Sequence, residues 1–529
     1  MFATTRRNAI LAFDVGTTNL KVCTFTGDDC TLMNSQTEEL SLITSKDDQL
    51  VEIEPNLLLE QIFGMIQSSL AEAEKMNLTI VSIGLSCHRN SFVTLNRKTL
   101  EPCHRIITWK DKRAQQFCDE WNNSYKRKLL NLLGLIASTF TGSERFKAAR
   151  MFNLLDVMVA PRFSVILQKD QKMQELLSTN NLILTTLDCW ILQKLTNNSD
   201  LFTTEPSSVS STGLFDPFTS NWGDQILQLI GFPISSILLP SISKTSLLSL
   251  KTDINLFGRE IQISSCLGDA QSATFGSGCI IKGDVNLSLG TGALLDFVTG
   301  DEVHASMCGG VYPLIGWKLD EQSTTYLLES KFNNLISSLK WANLINLIPS
   351  LSSTDLNKQC EELFDGDEHL DENGDDITCF IPYGSKNIDC SSLIGIRSTT
   401  NQKHITRSII KSILFGIYQI WNCLLSQLSI EDIKLIKRIR CCGGISLNNF
   451  ICQQISTLIN LPLERVSEPQ FCSAKGVALL AGLGNGFWTL DQIKKFIIVE
   501  RCFEPNKQQR ISLLVQYNYW LDTQKRCLY

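Results

Sequence analysis

The stretch Ala12-Phe13-Asp14-Val15-Gly16-Thr17-Thr18-Asn19-Leu20-Lys21-Val22 decides how the rest of this chain is read. Apolar residues lead into it (Ile10, Leu11, Phe13) and alternate on the way out (Val22, Phe25), the pattern of a strand, a tight turn and a second strand. Gly16 lets the backbone approach a bulky anion with no Cβ in the way. The N–H groups of the turn and the Thr17 and Thr18 hydroxyls can converge on phosphate oxygens. Asp14, at the strand end, can hold Mg²⁺ through the metal's own waters, and Lys21 adds a positive charge. Alone, the stretch reads first as an ordinary hairpin with a small polar tip.

A second copy changes that balance. Val285 to Phe297 repeats strand, turn and strand around Gly290-Thr291-Gly292. Two phosphate-type hairpins half a chain apart predict two like domains facing each other over one nucleotide. A length of 529 residues also exceeds what one core accommodates.

Composition narrows the class. The formal net charge of −6 disfavours nucleic acid or an anionic membrane as the main partner. Neither a signal peptide nor a membrane span is evident, so a cytoplasmic location is expected. The nineteen cysteines are scattered singly apart from Cys441-Cys442, and the five histidines form no H-E-x-x-H, which argues against zinc and for reduced thiols in apolar sites. The acidic run at 365–376 fails the calcium-loop register, because His369 falls where Asp is needed, and reads as a solvated loop.

Other segments carry chemistry. An amphipathic helix is expected from Asn56 to Lys75, then a buried strand, Ile80 to Leu85, that ends in Ser86-Cys87-His88-Arg89-Asn90-Ser91. Polar residues at the carboxyl end of a buried strand are where α/β folds place ligands. Asp269 follows a second buried strand and begins a helix, so it can cap that helix or serve as a base. Ile439 to Phe450 runs through Gly443-Gly444 to Asn448, and Ala474 to Trp488 is a helix rich in small residues.

In this order the motifs resemble the FGGY carbohydrate kinases, of the glycerol kinase type and in particular the branch known as glycerol kinase 5. The resemblance covers nearly the whole chain and is thinnest at about 125–185 and 350–400. It implies an α/β fold of two actin-like ATPase (ribonuclease H-like) domains with a nucleotide cleft between them. Residues 1–273 would carry the substrate site and the first hairpin, and 274–529 the second hairpin and the adenosine site. Gly16, Thr17, Thr18, Lys21, Gly290, Thr291 and Gly292 would hold the triphosphate, with Mg²⁺ near Asp14. Gly443, Gly444 and Asn448 match the adenosine motif, in which Cys442 replaces an Asp.

The resemblance makes Asp269 the general base and makes Arg89 and Asn90, with Asp269, the substrate contacts. Besides Cys442, four positions depart from the family: Lys21 stands where many relatives have Arg, Asn90 stands for a Glu, Ala270 for a Gln, and Lys411 for an acidic residue. Asp111 and Arg113 read as structural. The family's aromatic contact to glycerol has no clear counterpart within 125–168. The reading is an ATP-dependent kinase of a small polyol, glycerol first, with no nucleic acid, no membrane span, and homo-oligomerisation left open. Two alternatives stand beside it: a kinase of another small polyol or sugar, and a catalytically silent relative that binds or regulates.

Overall fold

In the computed structural model, the described residues are 6–46, 49–307, 309–333, 335–364, 378–382 and 391–527. The acidic run at 365–376 lies outside them. The chain forms two compact units. The first comprises Met1–Gly278 with Val298–Leu327 and Phe471–Phe496, and the second comprises Cys279–Phe297, Leu328–Gln470 and Ile497–Tyr529.

The first unit is built on a six-stranded sheet ordered Leu247–Lys251, Gln262–Gly268, Leu78–Cys87, Arg7–Val15, Asn19–Thr26, Leu32–Glu39. The opening stretch is the expected hairpin, with Asp14 opposite Lys21 and Val15 opposite Leu20. Arg7–Val15 then runs parallel to Leu78–Cys87, which runs parallel to Gln262–Gly268. Strands buried on both faces read as continuous apolar runs, and Ile10–Phe13 and Ile263–Gly268 are buried throughout. The helix Pro55–Lys75 buries Leu58, Ile62, Met65 and Ile66, an i, i+4, i+7, i+8 face. The helix Cys472–Gly484 lies so close that a Cβ on Gly84 would fall 2.6 Å from the Val477 carbonyl oxygen, and one on Gly476 would fall 1.9 Å from that of Ser272. Small residues there are a packing requirement.

The second unit repeats the plan. Val285–Leu289 pairs antiparallel with Ala293–Gly300 and parallel with Ile439–Cys442, which in turn pairs with Leu463–Val466 and then Val499–Phe503. The long helix Gln402–Leu425 is apolar enough to cross a membrane by length and composition, and 67% of its most apolar window is buried. It serves as the central helix of this unit.

Candidate functional site

Strand register brings the sequence-distant residues of the first unit together. Val15 pairs with Cys87, and Cys87 pairs with Gly268. Gly16-Thr17, His88-Arg89-Asn90 and Asp269 therefore leave the carboxyl ends of three adjacent parallel strands, where α/β sheets hold ligands.

The hairpin turn is closed by Gly16 N–H donating to the Asn19 carbonyl at 3.1 Å. A Cβ on Gly16 would lie 2.9 Å from that oxygen, so the closeness of the turn is what requires glycine. Thr17 is held from outside: the Trp109 indole N–H donates to its hydroxyl at 2.8 Å. Nothing in the sequence singled out Trp109 for this role. Thr18 ties the turn to the next segment, its carbonyl accepting from Leu40 N–H at 2.8 Å.

Asp14 is buried, and burial pushes its carboxyl above the usual range, against the opposing pull of Lys21 and Ser86. Lys21 Nζ stands 3.8 Å from one carboxylate oxygen, and Ser86 donates to the other at 3.0 Å. A desolvated carboxylate with one distant cation is suited to a further positive charge. Among the described residues no three His, Cys, Asp or Glu side chains cluster around a metal position. The donor set therefore fits an ion that keeps most of its waters, as Mg²⁺ does.

Asp269 opens the helix Asp269–Gly276, whose N-cap position belongs to Gly268, so Asp269 lies inside the first turn. One carboxylate oxygen accepts from Ala270 N–H at 2.9 Å and lies 3.8 Å from Arg89 Nε. The Asp269 side chain is 30% exposed and that of Arg89 only 10%. The Arg89 stem passes over Gly268, where a Cβ would meet its Cγ at 3.0 Å.

Asn90 is buried with φ +62°. Its Oδ1 accepts from the Ser211 hydroxyl at 3.0 Å. Its carbonyl accepts from Arg162, a fully buried guanidinium that also donates to the carbonyls of Thr108, Val157 and Met158. Burial pushes Arg162 down to about 10. His88 is likewise buried and pushed down to about 3, hence neutral, with Nδ1 2.7 Å from the Ser91 hydroxyl. Nothing in the sequence pointed to Arg162 or tied Ser211 to Asn90.

Behind the Asp269 turn runs a buried polar chain. Asp188 accepts from Thr204 Oγ1 at 2.9 Å and from Glu205 N–H at 3.0 Å. Glu205 accepts from Ser246 Oγ at 2.6 Å and from the Ser207 hydroxyl, and the Ser207 oxygen accepts from Gly268 N–H at 2.8 Å. Burial, with Asp188 beside it, pushes Glu205 up to about 7.

In the second unit, Gly290 N–H donates to the Gly292 carbonyl at 2.9 Å, a turn as tight as the first. Gly443 has φ +91°, and a Cβ there would lie 2.3 Å from the Leu289 carbonyl oxygen. Only glycine satisfies both conditions. Added Cβ atoms at Gly290 and Gly444 would meet nothing within 4 Å, so there is room beside the chain at both. Asn448 is fully buried, and its side chain caps the helix Asn449–Ile459 by accepting from Ile451 N–H at 2.9 Å. It therefore shapes the turn. Cys442 is buried against Asn286, and Lys411 Nζ lies over the Phe364 ring. Asp111 holds Arg113 at 2.6 Å and Val51 N–H at 3.0 Å, a structural pairing.

Comparison with known proteins places these units. The family model described as "FGGY family of carbohydrate kinases, N-terminal domain" matches residues 9–147 and 162–276, and the C-terminal domain model matches 285–484. Glycerol kinase 5 of Gallus gallus is 32% identical over 479 residues, covering 90% of this chain and 88% of the relative. That of Homo sapiens is 34% identical over 466 residues, covering 87% and 84%. A glycerol kinase of Parabacteroides distasonis is 26% identical, covering 95% of each chain. Among solved structures, Plasmodium falciparum glycerol kinase with ADP superposes with a TM-score of 0.80 at 22% identity, covering 99% of each chain. Ligand-bound xylulose kinase from Lactobacillus acidophilus gives 0.76 at 18% identity, covering 98% of each.

Proposed function

Because this chain belongs to the FGGY family of carbohydrate kinases, as an ATP-dependent kinase of the glycerol kinase type, we propose that it phosphorylates glycerol to glycerol 3-phosphate. The observation that carries this reading is the placement of Arg89 Nε 3.8 Å from the partly open carboxylate of Asp269, beside the Gly16-Thr17 turn.

In this reading residues 1–273 bear the substrate and residues 274–529 the adenosine. Arg89 and Asn90 hold the polyol hydroxyls, with Arg89 supplying the stronger, charge-assisted bond. Asp269 orients the attacking primary hydroxyl and takes its proton as the oxygen bonds to the γ-phosphorus in line with the departing ADP oxygen. Gly16, Thr17, Thr18, Lys21 and the Gly290-Thr291-Gly292 turn hold the phosphates. Gly443 and Gly444 lie against the nucleoside, and Asn448 fixes their turn. Mg²⁺, held near Asp14 through its waters, supplies charge neutralisation on the phosphates.

A second reading has its own observation. In the family the position of Asn90 is a Glu, an acceptor for hydroxyl protons. Here the side chain is an amide whose oxygen accepts from the Ser211 hydroxyl, and unlike a carboxylate it also carries N–H donors. That polarity favours a polyol or sugar presenting an oxygen acceptor at this point. The retained Asp14 and Asp269 speak against a silent relative.

ADP release by the purified protein with Mg-ATP and glycerol, beside Asp269→Asn, tests the proposal. Glycerol-dependent turnover lost in the variant supports it. Turnover only with another polyol supports the second reading, and ATP binding without turnover on any substrate sinks both.

A further inference from the structure

The helix Tyr125–Thr141 carries an apolar face that is half or more exposed along most of its length. Tyr125, Leu129, Leu132, Leu133, Ile136 and Phe140 recur at i, i+4, i+7, i+8, i+11 and i+15, which is one stripe of a helix with 3.6 residues per turn. Their exposures are 75, 52, 52, 54, 47 and 85%. A stripe of this spacing ordinarily turns inward. Here the inward contact is made instead at Gly134, where a Cβ would fall 2.5 Å from Arg150 N on the neighbouring helix Glu144–Arg150. Scattered exposed leucines need no explanation, but six large apolar side chains aligned along one exposed helix face mark an interaction surface.

Charge identifies what the face meets. Residues 125–151 hold six Lys or Arg and a single acidic residue, Glu144, in a chain whose net charge is −6. Glu144 is taken up by Lys147 at 2.6 Å and by Ala305 N–H at 2.7 Å, Arg145 pairs with Asp216 at 2.9 Å, and Arg127 donates to Asn153 at 2.7 Å, so the charges beside the stripe are Lys126 and Lys128. Lys126 and Lys128 are exposed and flank the apolar stripe on either side at its start. A second copy of the chain would oppose this patch with one equally basic, whereas an anionic lipid surface opposes it with the complementary sign and accepts the apolar stripe as well.

We infer that this helix docks the protein on the surface of an anionic bilayer. The stripe lies in the boundary between headgroups and acyl chains, the flanking lysines meet lipid phosphates and carboxylates, and no segment spans the membrane. The acidic remainder of the chain stays in water. The inference is independent of the substrate.

The test is sedimentation of the full chain with vesicles of phosphatidylcholine alone or with phosphatidylserine added. Binding should require phosphatidylserine and fall at least about tenfold when salt is raised to about 0.5 M. The double variant Leu132→Glu/Leu133→Glu, and separately Phe140→Asp, should each weaken binding by at least about tenfold while ADP release and thermal midpoint stay at wild-type values. Equal binding by wild type and both variants overturns the inference, as does failure of the wild type to bind phosphatidylserine vesicles. A wild-type dimer that the double variant converts to monomer, with no vesicle binding, also overturns it and assigns the face to a second copy.

Discussion

The indole N–H of Trp109 donates to the hydroxyl of Thr17 at 2.8 Å, so a residue ninety-two positions away sets the direction of a hydroxyl in the phosphate-type turn. A neutral hydrogen bond contributes about 0.5–1.5 kcal/mol net. Trp109→Phe keeps the ring and removes the donor. It should weaken ATP, read as KM for ATP or by nucleotide titration, by up to about tenfold while leaving kcat for the polyol largely unchanged. A fall confined to kcat would show that Thr17 is not a ground-state phosphate contact.

Asp269→Asn preserves the acceptor for Ala270 N–H and removes the base. Turnover should drop by on the order of 10²–10⁴ with ATP affinity retained. Measuring both quantities on one preparation separates loss of the proton acceptor from loss of the fold. Near-normal turnover would refute the base role.

Much of this site was readable because its parts are local. Each hairpin announces itself by apolar alternation broken by Gly and Thr, and Arg89 and Asp269 each follow an apolar run that had to be a buried strand. Arg162 was not readable. It gathers carbonyls from Asn90, Thr108, Val157 and Met158, and such a role leaves no periodicity or spacing in the sequence. Ser211, which turns the polarity of Asn90, escaped for the same reason. Asn448 was assigned to the nucleotide by resemblance to the family's adenosine motif, and its second use, buried and capping the helix Asn449–Ile459, is visible only in three dimensions. The helix Tyr125–Thr141 inverts the usual rule, since a stripe that reads as core-facing points to water.

Two adjacent glycines should respond differently to the same change. Gly443→Ala places a Cβ against the Leu289 carbonyl at positive φ and should cost on the order of 1–3 kcal/mol, seen as a lower thermal midpoint. Gly444→Ala enters open space, so stability should hold within about 0.5 kcal/mol. The added methyl at Gly444 should instead weaken ATP. Equal destabilisation by both variants would contradict the geometry.

The Glu205 carboxyl gives a pH signature. Burial raises it from 4.5 to about 7, so the folded state binds a proton that the unfolded chain has lost. Its contribution to stability is full below about pH 4.5, declines as pH rises, and is gone above about pH 7. Glu205→Gln, which cannot titrate, should flatten the wild-type decline in thermal midpoint across that window, an effect of order 3 kcal/mol at most. Parallel profiles for the two proteins would show that Glu205 is not the titrating group.

Asp14, Ser86 and Gly268 ride on three adjacent interior strands of the first sheet rather than on its rim. Such strands open to solvent only when a whole domain opens, whereas outer strands and surface helices fray at far lower cost. Amide hydrogens around Cys87 and Cys266 should accordingly be among the last to exchange. Thermal loss of chemistry should then coincide with cooperative collapse of the domain rather than precede it, so residual turnover would report directly on the fraction of molecules still folded.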